Sequence, residues 1–406
     1  MLLKKIPKRT VLLNQSEFKD IWKLVISRSI KDGDLIREFE DKFKTFIGVK
    51  EAIAVSSGRF ALYLILKNIG MKKGDGIILS AYNFKGVPNS LLENGFAPVF
   101  VDADEKSYQI DASKIEQKIN GNVKAIMLTH LFGQPGDLDK ILDISRKYNL
   151  FLIEDAAHSL GSYYAGKHTG GFGEAGFFSF SGSKLLNTSF GGMVVTDNKE
   201  LANNIRQELN GYDFPASAQL LRERIITYIY VLLTKRFVYS FTEYPVTLLM
   251  SLCKQDPLEI YKSLKKREIT DEKMKFTNLQ AMLGIKQMVN MESLISKRRK
   301  IAEELYKRLD SSISLQLFAD KCLPNYFMIP LKTKDKFKAF RKLLFAGIDT
   351  NLAYANDCSF MSNGGTSKTA KFLSDSILTL NLPFDLNEKE INHLALSINS
   401  VKELLY

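Results

Sequence analysis

Phe177–Thr196 reads FFSFSGSKLLNTSFGGMVVT and carries one charged group, Lys184. An aromatic run precedes the lysine, small residues flank it, and Gly191-Gly192 follow it. A lysine in a partly desolvated, weakly charged setting loses proton affinity and becomes a nucleophile for a carbonyl carbon. A phosphate loop is the rival reading, and it requires G-x-x-x-x-G-K-[ST] directly after a strand. Here five residues separate Gly176 from Gly182, Ser183 intervenes before Lys184, and Leu185 offers no hydroxyl for magnesium. The phosphate loop is therefore rejected.

Upstream of the lysine, short apolar runs alternate with helical patterns. EAIAVSS, DGIILSAYNF, APVFVDAD, VKAIMLTHLFG and LFLIEDAAHS read as strands, and FFSF as a further buried one. GRFALYLILKNIG, KGVPNSLLENG and LDKILDISRKYN read as helices. Strands apolar on both faces, alternating with helices, predict a parallel sheet covered on both sides. Functional groups of such sheets gather at the carboxyl ends of the strands. Those ends carry Ser56 and Ser57, Tyr82 to Phe84, His130, and Glu154 with Asp155.

The fold class is thus α/β, a large doubly wound and mostly parallel sheet domain with a smaller α+β C-terminal domain. We divide the chain into residues 1–213, an insertion at 214–267, and residues 268–406. In the last part, NLQAMLGIKQMVNMESLISKRRKIAEELYKRLD reads as one long helical pattern. NYFMIPLK and DSILTLNLP read as strands, and Asn387 with Glu390 forms a capping box for the final helix.

With 406 residues and 45% hydrophobic content, the chain buries a sizeable core without covalent staples. Cys253, Cys322 and Cys358 are odd in number, far apart and outside any C-x-x-C, so neither a disulfide framework nor a zinc site is expected. That pattern fits a reducing, cytoplasmic compartment. MLLKKIPKRTVLLNQSEF lacks the apolar core of a signal peptide, and no uncharged apolar run reaches membrane-spanning length. The net charge of +12 is scattered and belongs to no recognisable nucleic-acid module, so no nucleic-acid partner is expected. Residues 214–267 are rich in aromatic and aliphatic side chains, with nine Lys/Arg against four Asp/Glu. They read either as a helical subdomain packed on the core or dimer interface, or as a peripheral membrane contact through 220–252.

A Schiff-base lysine serving pyridoxal 5'-phosphate (PLP) needs four companions. These are an acid for the pyridine nitrogen, an aromatic face, phosphate donors at a helix N-terminus, and small residues near the cofactor. Asp155 ends a strand 29 residues before Lys184, Ser57-Gly58-Arg59 opens a helix, Tyr82 and Phe84 end the second strand, and Ser179 precedes the lysine. Taken singly, Asp155 reads equally well as a helix cap and Lys184 as a surface lysine. Their order is what distinguishes them. Together with VSSGRFAL, GFAPVFVDAD, HLFGQPGDLDKI, IEDAAHSLGSYYAGKHTGGFGEAGFFSFSGSK and NLQAMLGIKQM, the chain resembles the DegT/DnrJ-type nucleotide-sugar aminotransferases, fold-type I PLP enzymes. The likeness covers about residues 20–210 well and 273–400 more loosely.

That resemblance implies PLP as cofactor, Lys184 as the Schiff-base residue and proton carrier, and Asp155 as partner of the pyridinium nitrogen. It places His158 near the ring oxygen, where the alternative is a hydrogen-bonded core histidine. It stacks Phe84 on the ring and assigns Ser57, Gly58, Arg59 and Ser179 to the phosphate. The family usually has a small hydroxyl residue at Arg59, which either reaches a substrate phosphate or covers the surface. Related dehydratases carry histidine in place of the lysine, so transamination of a keto-sugar nucleotide, with glutamate as donor, is favoured. A dehydratase and a non-catalytic sugar-nucleotide-binding relative remain the alternatives. Lys273 and Lys275 align with residues that complete the neighbouring subunit's site, which implies a homodimer. Ser189-Phe190 departs from the acidic or small residue usual before Gly-Gly, and the ring is expected to reshape the pocket floor.

Overall fold

A computed structural model describes residues 5–9, 17–182, 184–252, 273–362, 365 and 367–406. Ser183, Cys253, residues 253–267 of the insertion, and Asn363-Gly364 lie outside the described residues. The large domain is built on β1 (Glu51–Val55), β2 (Gly76–Ser80), β3 (Ala97–Val101), β4 (Val123–Thr129), β5 (Phe151–Asp155), β6 (Ala175–Ser179) and β7 (Gly192–Thr196). In space the order is β1-β7-β6-β5-β4-β2-β3. β7 runs antiparallel to β1 and β6, and the remaining pairings are parallel.

Period-two alternation sends each strand's side chains into two different cores. Ile53, Val55, Ile77, Leu79, Met127, Ile153, Phe177 and Val194 pack on one face. Helices α1 (Glu17–Ile26), α2 (Leu35–Ile47), α3 (Gly58–Asn68), α4 (Gly86–Glu93), α5 (Leu138–Lys147) and α6 (Lys199–Leu209) surround the sheet. α3 and α6 cover that first face, through Ala61, Leu62, Ile65, Ala202 and Ile205. On the other face, α2 covers β1, β6 and β7 through Phe39 and Phe43, and α5 covers the central strands through Leu138 and Ile141. Apolar burial on both sides is why these strands read as continuous apolar runs.

Helices α7 (Ser217–Thr234), α8 (Arg236–Phe241) and α9 (Glu243–Leu252) form the described part of the insertion. Its inner side is clamped by polar contacts to both domains. Arg224 pairs with buried Glu17, which also accepts from the Tyr228 hydroxyl at 2.9 Å. Arg236 donates to both carboxylate oxygens of Glu390, at 2.6 and 3.0 Å. The Tyr244 hydroxyl reaches the Leu344 carbonyl at 2.8 Å. The outer side is apolar: Phe237, Phe241 and Leu249 are 62%, 70% and 64% exposed. Among the described residues no helix is long and apolar enough to cross a membrane.

The stretch read as one long helix is two, α10 (Asn278–Met288) and α11 (Met291–Tyr306). Asn290 leaves helical geometry (φ −112°, ψ 9°). Gln287, in the last turn of α10, is committed to the Asn187 backbone, which it both donates to and accepts from. The smaller domain pairs β8 (Ile329–Lys332) with β9 (Ile377–Leu380) antiparallel, and adds α12 (Lys336–Phe345), α13 (Lys368–Ser376) and α14 (Glu388–Asn399). The Asn387–Glu390 capping box is present. The strand read over NYFMIPLK is shorter than expected. Its first residues bond instead to the large domain, Asn325 Nδ2 to the His158 and Leu160 carbonyls and Met328 N–H to the Phe132 carbonyl.

Candidate active site

The loop carrying Lys184 leaves β6 and returns into β7. It is closed by Phe180 N–H to Gly191 O at 2.9 Å and Thr188 N–H to Phe180 O at 3.0 Å. Leu185 and Leu186 anchor it in the core beneath α2. Gly192 is required where β7 begins, because a Cβ there would lie 2.6 Å from the Ser57 carbonyl carbon and 2.7 Å from the Gly58 nitrogen. The Gly-Gly pair thus lets the first turn of α3 settle against β6 and β7. At that turn the Ser57 hydroxyl caps the helix by accepting from Phe60 N–H at 3.0 Å. A Cβ on Gly58 would stand 3.1 Å from Ser179 Cβ. The helix N-terminus and the Ser179 side chain therefore lie close together, an arrangement suited to a phosphate.

Glu154 and Asp155 follow each other on β5 but point to opposite faces. Glu154 is fully buried and accepts from His130 Nε2 at 2.9 Å and from the backbone N–H groups of Gly170 and Gly173 at 2.7 and 2.8 Å. Desolvation opposes its charge, yet His130 and those donors hold its pKa below the usual range. His130 and Glu154, both at strand ends, are thus structural. Asp155 shares the α3 face with Phe177 and Ser179. It accepts from Ala157 N–H at 3.1 Å, and burial raises its pKa, with Lys184 acting against that. A buried carboxylate so placed suits a ring N–H⁺.

Lys184 Nζ lies 5.2 Å from the Phe327 ring centroid and donates to the Tyr354 hydroxyl at 3.4 Å. Burial brings its pKa down to about 8; Asp155 opposes the shift and Arg9 adds to it. His158 stacks on Phe327 at 4.7 Å, accepts at Nδ1 from Phe132 N–H at 3.3 Å, and lies at Nε2 3.1 Å from the Tyr354 oxygen. Burial, then Lys184, lowers its pKa well below the ordinary value, so it is neutral. Phe84 is 48% exposed, with its ring 6.4 Å from that of Tyr354.

Sequence reading missed Phe327, Tyr354 and Arg9. Asn356-Asp357 pair with Tyr82-Asn83 across the two domains, and this brings Tyr354 over the lysine. No local period marks that contact.

Lys273 and Lys275 both have contacts within their own chain. Lys273 lies on its own chain's α3, with Nζ 3.3 Å from the Tyr63 ring centroid and 2.9 Å from Asn94 Oδ1. It shares a cleft there with Ser57, Arg59 and Glu93. Lys275 Nζ reaches the Asn210 carbonyl at 3.3 Å. Phe190 does not form the pocket floor. It packs with Leu24, Leu220, Met274 and Leu283 beneath the insertion, because the neighbouring Ser189, at φ 73°, ties its hydroxyl to Thr227 of α7 at 3.0 Å.

The model of the DegT/DnrJ/EryC1/StrS aminotransferase family matches residues 12–226 and 250–398 and omits the middle of the insertion. GDP-perosamine synthase of Escherichia coli O157:H7 is 30% identical over 302 residues, 74% of this chain and 70% of that protein. GDP-perosamine synthase of Caulobacter vibrioides is 42% identical over 174 residues, 43% of this chain and 47% of its own. Among solved structures, Helicobacter pylori PseC, an aminotransferase of pseudoaminic acid biosynthesis, superposes with a TM-score of 0.77 at 21% identity, covering 98% of this chain and 100% of that one. A buried low-pKa lysine, an opposing buried aspartate and a helix N-terminus beside Ser179 fit PLP, which when bound supplies an aldehyde carbon and an electron sink. The chain belongs to the DegT/DnrJ/EryC1/StrS aminotransferase family and is a PLP-dependent aminotransferase.

Proposed function

We propose that the chain moves an amino group from glutamate to the keto group of a nucleotide-linked sugar, for cell-surface polysaccharide or glycan biosynthesis. One observation carries the reading: a desolvated lysine amine, with a pKa near 8, faces a buried aspartate across a site bordered by a helix N-terminus. Lys184 Nζ would hold the cofactor and, once displaced as a free amine by the incoming amino donor, would carry the proton at the substrate carbon. Asp155 keeps the ring nitrogen protonated. His158 orients the ring oxygen, Phe84 covers one face, and Ser57, Gly58, Arg59 and Ser179 hold the phosphate. Retention of lysine supports amination over dehydration.

Two subunits complete each site, with Lys273 reaching the neighbour's cofactor phosphate from the α3 cleft. The enzyme works in the cytoplasm, at the inner membrane surface. The outward apolar residues of α7–α9 support that placement, since they lie largely where the family model has no counterpart.

The decisive experiment incubates the PLP-loaded protein with glutamate and a panel of keto-sugar nucleotides, GDP-linked sugars first, and reads product mass. A product in which the keto oxygen of the sugar is replaced by an amino group and a hydrogen, with equimolar 2-oxoglutarate, is expected. Loss of water without nitrogen gain would establish the dehydratase, and absence of any product with a protein that fails to bind PLP would establish the non-catalytic relative.

A further inference from the structure

We infer that Tyr354 is a positioning residue for Lys184, the acceptor that holds the Nζ ammonium and couples it to His158. The inference rests on reading Lys184 as the cofactor lysine. Its basis is a chain of three contacts: Phe132 N–H to His158 Nδ1 at 3.3 Å, His158 Nε2 to the Tyr354 oxygen at 3.1 Å, and Lys184 Nζ to the same oxygen at 3.4 Å. A neutral imidazole has one protonated nitrogen. Because Nδ1 accepts from the backbone, the proton sits on Nε2, and His158 donates to Tyr354. The phenol oxygen then receives two hydrogen bonds, from imidazole and ammonium, and both lone pairs are used. Its own hydrogen is left for a third acceptor, an oxygen of the bound substrate or cofactor.

Three elements converge to make the arrangement. The turn after β5 brings His158, the β6–β7 loop brings Lys184, and the irregular small-domain segment 351–356 brings Tyr354. Asn351 exchanges backbone hydrogen bonds with Thr379 of β9, which fixes that segment's height above the site. The tyrosine ring is further fenced by Phe327 at 6.2 Å and Phe132 at 6.5 Å. The groups around the lysine include Asp155 from β5, Arg9 from the N-terminal segment beside Ile348, the Tyr354–His158 pair, and the Phe327 ring 5.2 Å from Nζ. Asp155 and the Tyr354 oxygen favour the ammonium, while burial and Arg9 oppose it.

The test uses apoenzyme, so that it does not depend on turnover. Trace acylation of amines is followed between about pH 6 and 10, with labelling of the Lys184 peptide quantified by mass spectrometry. Wild type should titrate near 8. Tyr354→Phe removes an acceptor of the charged form, so its midpoint should fall by about one pH unit. In the loaded enzyme kcat should drop about tenfold or more, with KM for either substrate within about threefold. An unchanged or raised midpoint in a folded Tyr354→Phe protein overturns the inference. If that variant does not fold, 3-fluorotyrosine at position 354 decides. It keeps the shape and weakens the acceptor, so a smaller fall is expected and no fall overturns. Borohydride trapping of PLP-loaded wild type separately checks the underlying reading. A label on another lysine refutes Lys184 as cofactor residue, whatever the Tyr354 result.

Discussion

The carboxyl edge of the sheet and the helices α7–α9 use charge in opposite ways. At the edge, Asp155 and Lys184 are buried with pKa values moved toward neutrality, up for the acid and down for the amine. Each lacks the full set of partners that Glu154, next along the strand, obtains from His130 and backbone N–H groups. Such groups are poised for the charge of a ligand. In the insertion, by contrast, Arg224 and Arg236 are paired with Glu17 and Glu390 within the protein. Its outer side exposes apolar side chains such as Phe237, Phe241 and Leu249 beside Arg222 and Lys235. The first region is built to meet a small charged molecule and the second to join two domains and present a greasy face.

Substitutions should separate the two regions cleanly. Lys184→Ala is expected to reduce turnover by at least about 10³-fold with an unchanged melting temperature. A variant retaining substantial activity in steady-state assays would remove the lysine from its role. Asp155→Asn should cost about 10²–10³-fold and weaken PLP retention on dialysis. If it instead chiefly lowers the melting temperature, Asp155 belongs with Glu154 as a structural acid. Arg236→Met leaves Glu390 buried without its partner and should destabilise folding by about 3–5 kcal/mol, measured by urea titration, with kcat per folded molecule unchanged.

The pH dependence of cofactor capture sharpens the account of the edge. With the Lys184 pKa lowered to about 8, the ammonium predominates below that pH and the free amine above it. Attack on the PLP aldehyde needs the free amine, so the capture rate of apoenzyme should rise about tenfold per pH unit below 8 and level off above it. A plateau already reached well below neutrality, in stopped-flow absorbance, contradicts a Lys184 pKa of about 8. The smallest effect on chemistry is expected from changing Phe237, Phe241 and Leu249 together to serine. Turnover should stay within about twofold, since none of the three contacts the site, while flotation with anionic vesicles should be lost. Flotation unaffected by the change excludes these helices as the membrane contact.

Much of this was readable from residue order and period. Runs such as EAIAV and FLIED are apolar on both faces because both faces are buried. The Asp155-to-Lys184 spacing and the Asn387 capping box are local or near-local signals, and chain chemistry sets them before any long-range contact forms. Other features had no such signal. Glu154 and Asp155 are alike as strand-end acids in sequence, and only the pleat, with donors from the 170–173 loop on one side, separates the fully bonded Glu154 from Asp155 on the opposite face. Phe190 packs beneath the insertion, next to Ser189 whose hydroxyl meets Thr227 of α7, and no local pattern marks that contact. The helix break at Asn290 follows Gln287, whose side chain holds the Asn187 backbone of the Lys184 loop, a contact made only in the folded chain. Tyr354 lies 170 residues from Lys184, and the pairing of Asn356-Asp357 with Tyr82-Asn83 brings the two together. Periodicity and spacing record what a segment does with its own neighbours. A contact between two loops from different domains exists only once both domains have packed, and the contact of Lys184 with Tyr354 is of that kind.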